Sequence, residues 1–194
     1  MGVRLEQKEQ TRERIIDKTT QLVQENGFVG ISTKDISKNS DVSQGTIFLH
    51  FKTKINLLNT ILYSNVDNFE KDLIEQCNAN QSTDNFVRNF LDAISLYEGI
   101  LSRAYKDYSY LDDPLQKQLD DLDTLIKNKF YDNIKHNRST NLNIVDTFTL
   151  IDAFISQIKQ YLLEKNVYTK ANSIIRQRRG RITKLYRMLF GEES

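Results

Sequence analysis

Apolar residues recur along this chain at steps of three and four, the period of a helix with one buried face. Ile15, Ile16, Thr19, Leu22 and Val23 form the first such stripe, and Gly27 is placed to end it in the left-handed conformation. Ser32 can cap a short second helix, with Asp35 three residues on as the acidic half of a capping box and Ile36 facing inward. Asp41 and Val42 make a turn, and Ser43 caps a third helix from Gln44 to about His50. Thr53 caps a long fourth helix carrying Leu57, Leu58, Ile61, Leu62, Val66, Phe69 and Leu73. The polar run Asn78 to Asp84 breaks the pattern, and Phe86, Phe90, Ile94, Tyr97 and Leu101 resume it. Asp112, Asp113 and Pro114 read as a helix start, with proline in the first turn that tolerates it, and Leu115, Leu119, Leu122, Ile126 and Phe130 follow. His136 to Asn143 reads as a loop. Two more stripes, over about 144–164 (Val145, Phe148, Ile151, Ile155, Ile158, Leu162) and about 170–190 (Ala171, Ile174, Ile175, Ile182, Leu185, Leu189, Phe190), close the chain. The pattern predicts an all-α protein of about nine helices, without a convincing strand, internal repeat or low-complexity tract.

Composition agrees with helices. There is one proline (Pro114), seven glycines and no tryptophan in 194 residues, fewer turn residues than a β-rich fold uses. That length suits one medium domain, or a small and a larger one packed together. With 27% charged and 39% hydrophobic residues the chain is globular rather than disordered. A single cysteine, Cys77, excludes an intramolecular disulfide, and with only His50 and His136 beside it a zinc site is not expected. The polar N-terminus has no signal-peptide core, and no apolar run approaches the roughly 20 residues that span a bilayer, so a cytoplasmic chain with no membrane partner is expected. No glycine-rich phosphate loop, metal cluster or nucleophile–base signature is present. The pairs Asp112/Asp113 and Asp120/Asp121 read as caps and solvated faces, so neither enzyme nor cofactor is expected.

Charge does not announce a nucleic-acid binder: the net is +1, with nine Lys/Arg against seven Asp/Glu in residues 1–66 and 18 against 19 in the remainder. A DNA contact must therefore come from a local patch. The stretch Ile31 to Leu58 supplies one. Two short helices joined by a tight turn form a helix-turn-helix, in which the first helix braces across the backbone and the second enters the major groove with its N-terminal residues at base edges. Ser32, Thr33 and Lys34 sit at one helix N-terminus, and Thr53 and Lys54 at another, where free N–H groups suit phosphate. Ser43, Gln44, Gly45 and Thr46 open the helix that would enter the groove. Gln44 can pair with adenine, Thr46 can meet a base or a thymine methyl, and Gly45 lets the backbone come close. Each residue alone has a plainer role: Ser43 and Thr53 as caps, Lys52 and Lys54 as solvated cations, His50 as structural. Ile36, Val42, Ile47 and Phe51 belong to the core. Their joint occurrence at one spacing favours DNA binding.

The segment resembles the signature of the TetR (tetracycline-repressor-like) family. Ser32, Ile36, Val42, Ser43, Gly45, Thr46, Ile47, His50, Phe51, Lys54 and Leu57 match it, and Gly27 and Phe28 match the pair that precedes it. The motif covers about residues 10–66; beyond it only helical pattern and length agree. The departures are local. Ser37 and Ser40 replace small alanines at some expense of stability, Asp41 replaces the turn glycine, and Phe48 replaces a tyrosine that resembles a phosphate contact. Ile55 and Asn56 replace an acidic pair, and Leu49 offers apolar contact to a thymine methyl. The resemblance implies a helix-turn-helix domain over residues 1–66, joined by the long fourth helix to a ligand-binding and dimerisation domain over 67–194. It implies a repressor bound to a double-stranded, palindromic operator, a homodimer through the last two helices, and a small-molecule effector. A DNA-bound structural protein of the nucleoid-occlusion type, without an effector, is the alternative.

Residues 67–194 carry 15 of the 19 Phe and Tyr residues. Ordinary packing accounts for most. Tyr97, Tyr105, Tyr108, Tyr110, Phe130, Tyr131 and Phe154 fall between helices and are the candidates to line a ligand pocket. Asp152, on a mostly apolar helix, would contact a ligand donor, pair with a base across the dimer, or lie at the stripe's edge. The basic cluster Arg176, Arg178, Arg179, Arg181, Lys184 and Arg187 reads as a solvated face, or as a site for an acidic partner or anion.

Overall fold

The computed structural model describes residues 2–137, 142–164 and 173–191, with side chains from Arg4 onward. Among the described residues eight α-helices follow in order: α1 (Gly2–Asn26), α2 (Thr33–Ser40), α3 (Gln44–Phe51), α4 (Lys54–Gln76), α5 (Thr83–Lys106), α6 (Asp113–Asn137), α7 (Ile144–Leu163) and α8 (Ile174–Phe190). A single 3-10 turn, Tyr108–Tyr110, links α5 to α6. No strand occurs among the described residues, and no described helix is long and apolar enough to cross a membrane. Ala171 and the middle of the expected 136–143 loop lie outside the described residues.

The caps form where the sequence places them. Ser32 accepts the Asp35 N–H while the Asp35 carboxylate accepts the Ser32 N–H, closing a capping box, and Ser43 and Thr53 accept the N–H groups of Thr46 and Asn56. Gly27 ends α1 at φ +81°. Each cap satisfies donors that would otherwise be orphaned at a helix start.

α5 lies at the centre and packs against α1, α4, α6, α7 and α8. One apolar cluster runs from Ile15 to Phe190 through both halves of the chain, and Val66 lies inside α4 rather than at a break. In the body the cluster is aromatic. The Phe130 ring meets those of Phe86, Phe90, Phe154 and Tyr186 at centroid distances of 5.0, 4.9, 5.3 and 5.8 Å, mostly edge to face, the arrangement aromatic quadrupoles prefer.

Polar contacts fix how the helices dock. Glu98 of α5, 4% exposed, accepts the Ser173 hydroxyl at 2.5 Å and the Ile174 and Ile175 N–H groups at 2.7 and 3.3 Å. A carboxylate from one helix thus caps the positive end of another. The basic cluster of α8 continues that seam rather than forming a single solvated face. Arg176 donates to Ser95, Arg179 pairs with Asp92, Arg187 pairs with Asp84 at 2.6 Å, and Arg178 reaches Glu164 at 3.5 Å. The acidic partner of this cluster is largely α5 of the same chain, while Arg181 and Lys184 stay exposed.

Candidate nucleic-acid interface

α2 and α3 meet through Asp41, whose φ of 51° and ψ of 50° place it in the left-handed region. Asp is among the few non-glycine residues that enter this region readily, which is how the turn forms without its glycine. The Ser37 hydroxyl donates to the Val42 carbonyl at 2.6 Å and braces the turn from inside. Ser40 has no such role. It is buried and its hydroxyl finds no partner.

α3 is two-faced. Ile47 and Phe51 are buried against the head, while Ser43, Gln44, Gly45, Phe48 and Leu49 are exposed, Leu49 by 75%. A large apolar side chain so exposed at mid-helix gains nothing from burial within the chain. The Ser43 and Thr46 hydroxyls lie 2.9 Å apart at the first turn. Ser32, Lys34 and Lys52 are exposed and Thr33 is half-buried. Lys54 differs from expectation: its ammonium donates to the Ile31 carbonyl at 2.9 Å, tying α4 to the α1–α2 link. His50 is half-buried at the end of α3, and its Nδ1 is buried without a partner. Burial, then the charges of Lys8 and Arg12, lowers its pKa, with Glu9 opposing.

Two groups outside the motif hold this surface. Arg103 of α5 donates to the Gln24 and Glu25 carbonyls at 2.9 and 2.6 Å, and Asp107 accepts the Phe28 N–H at 2.7 Å. The end of α1 is therefore capped from the body. Sequence reading missed this clamp, because it joins residues nearly 80 apart and carries no local pattern.

Residues 15–61 match the sequence profile of the bacterial regulatory proteins, tetR family. The head of the chain therefore carries the tetR-family sequence pattern. An uncharacterized HTH-type transcriptional regulator of Bacillus subtilis (strain 168), YvkB, is 36% identical over 58 residues, spanning 30% of this chain and 31% of that protein. Solved structures extend the likeness in fold to the whole tetR-type architecture. A TetR transcriptional regulator from Legionella pneumophila superposes with a TM-score of 0.71 at 21% identity, covering 91% of this chain and 95% of that one. AibR, in complex with isovaleryl coenzyme A and operator DNA, does so with a TM-score of 0.63 at 15% identity, covering 93% and 98%.

In this tetR-type body the expected ligand residues do not converge on one opening. Phe130 and Phe154 are fully buried in the aromatic cluster. The Tyr97, Tyr105 and Tyr108 hydroxyls donate to Asp72, Asp123 and Asp120 at 2.8, 2.8 and 2.9 Å. Burial, aided by Asp72, pushes the Tyr97 phenol up to about 12, and burial with Asp123 raises Tyr105 well above its ordinary value. Lys159 pairs with Asp123 and lies over the Tyr105 ring at 4.8 Å, joining α5, α6 and α7. Asp152 is half exposed and pairs with Lys127 of α6 at 2.7 Å. Tyr131 stacks on Phe148 at 4.9 Å. A cleft of about 310 Å³ between α1, α4 and the α5–α6 link takes in one of the candidates, Tyr110, with Phe28, Val29, Ile55 and Leu58 also among its walls.

Proposed function

We propose that the chain is a transcriptional repressor that holds a palindromic operator as a homodimer and leaves it when a small, largely apolar ligand binds. The observation that carries the reading is the exposed face of α3, with Gln44, Phe48 and Leu49 presented to solvent while Ile47 and Phe51 anchor the helix. On this reading residues 1–66 bind DNA and residues 67–194 bind ligand and partner. Gln44, Thr46 and Leu49 read bases; Ser32, Thr33 and His50 meet the backbone; Lys34, Ser43, Gly45, Phe48 and Lys52 complete the contact surface. Lys54 joins them once it exchanges the Ile31 carbonyl for phosphate. α7 and α8 make the two-fold contact, which sets two recognition helices roughly 34 Å apart for successive grooves.

AibR offers a precedent for one fold carrying both an acyl-coenzyme A and an operator. The ligand of this chain would lie near Tyr97, Tyr105, Tyr108 and Asp152. To reach Phe130 and Phe154 it must part the aromatic cluster. It then binds a conformation other than the packed one, and such differential affinity is what a release mechanism requires.

The test is selection of bound duplex from a random pool at moderate salt, repeated with candidate apolar ligands. One operator motif, released by one ligand class, is the expected result. Absence of sequence preference overturns the regulator reading, and many dispersed sites untouched by any ligand favour the structural DNA-bound alternative.

A further inference from the structure

The first buried residue of α1 is Ile15. Residues 4–10 are all exposed, a helical overhang of about 10 Å at 1.5 Å per residue, with Thr11 and Arg12 half-buried at its base. Its charges are sorted. Arg4, Lys8 and Arg12, four residues apart, continue the file of Ile15, Thr19 and Val23 that packs onto the domain. Glu6, Glu13 and Asp17 lie on the opposite side, with Glu9 at the flank 3.8 Å from Arg12, and Arg14 and Lys18 between the two files. The inner face of the overhang is therefore basic and the outer face acidic. The Arg12 guanidinium lies 5.3 Å from the centre of the Phe51 ring at the end of α3, and Lys8 and Arg12 are close enough to act on His50. At Arg12 the basic file thus reaches the C-terminal end of α3.

We propose that Arg4, Lys8 and Arg12 form a phosphate-binding ridge, extending the DNA interface along the backbone beyond the helix-turn-helix. The ridge rests on the reading of α3 as the groove-entering helix. Cations at steps of about 6 Å along one helix face suit a row of phosphates. They carry no base information, so they contribute affinity and salt dependence but not sequence preference.

The full chain is titrated against the selected operator duplex and a random-sequence duplex over a range of salt. The variant is Arg4→Gln with Lys8→Gln, two exposed positions on the overhang. The control is Glu6→Gln with Glu13→Gln, which changes net charge by the same amount on the outer face. The ridge variant is expected to lose at least tenfold in affinity at low salt and to flatten the log–log salt slope by about two, near 0.9 per phosphate, on both duplexes. Their affinity ratio stays unchanged. A slope within half a unit of the parent overturns the ridge, as does an equal and opposite change in the control, which would mean net charge rather than contact. If the parent chain does not distinguish the two duplexes, the regulator reading fails, while the slope on the random duplex still decides the ridge.

Discussion

His50 faces opposing demands. Its fold-lowered pKa means that the free protein favours the neutral ring. The stability this lends is present above about pH 6.5 and is lost as pH falls below that value. A DNA phosphate beside the ring would reverse the preference, so binding would take up a proton. Operator affinity is then expected to rise as pH is lowered from about 8 toward 6, by at most about tenfold for each pH unit, and His50→Gln should flatten the profile. Anisotropy titrations at fixed ionic strength decide it, and a flat parent profile removes His50 from the backbone contacts. Ser40 gives a second residue-scale prediction. Its buried, unpartnered hydroxyl stands where the resembled family carries alanine. Ser40→Ala should stabilise the head by about 1 kcal/mol, since a buried unsatisfied donor costs about that or more; a urea midpoint that does not move, or falls, refutes this. The departure at Ser40 was legible in the sequence, and its burial was not. The brace at Ser37 was not, because its partner, the Val42 carbonyl, is set by the path of the turn.

At the scale of elements, helix existence and caps were legible and docking was not. Ser32, Ser43 and Thr53 cap as their local spacing requires, because a cap is settled within four residues. The basic run of α8 could not be assigned from sequence, since it reads the same whether it faces water or Asp84 and Asp92. Glu98 is the sharpest such case. Nothing in the local pattern singles it out, yet it holds the start of α8. Glu98→Ala leaves three donors without their acceptor in a buried place, and should cost about 3 kcal/mol or more. The loss is to be read in urea unfolding together with amide exchange at Ile174 and Ile175. If those amides stay as protected as in the parent, α8 is held by its apolar face alone.

For the whole molecule, the open quantity is assembly. Gly180 lies mid-way along α8, exposed, and a Cβ there would meet nothing within 4 Å. Gly180→Arg therefore spares the monomer and raises helix propensity by roughly 0.8 kcal/mol. If α7 and α8 form the two-fold contact, the parent should sediment at twice 22.7 kDa and the variant at 22.7 kDa. A two-half-site duplex should then bind the variant little better than a single half-site. A variant that remains dimeric moves the contact away from this face. The sequence by itself determined the helical fold, the starts of α2, α3, α4 and α6 and the two-faced pattern of α3, because periodicity, caps and turn chemistry act over a few residues. Only the tertiary structure decided that Arg103 and Asp107 clamp the head, that the α8 cations meet α5, and that Phe130 and Phe154 are sealed in the core. Those pairings join residues tens of positions apart, and their energy depends on which faces meet and how far water is excluded, which no local pattern specifies.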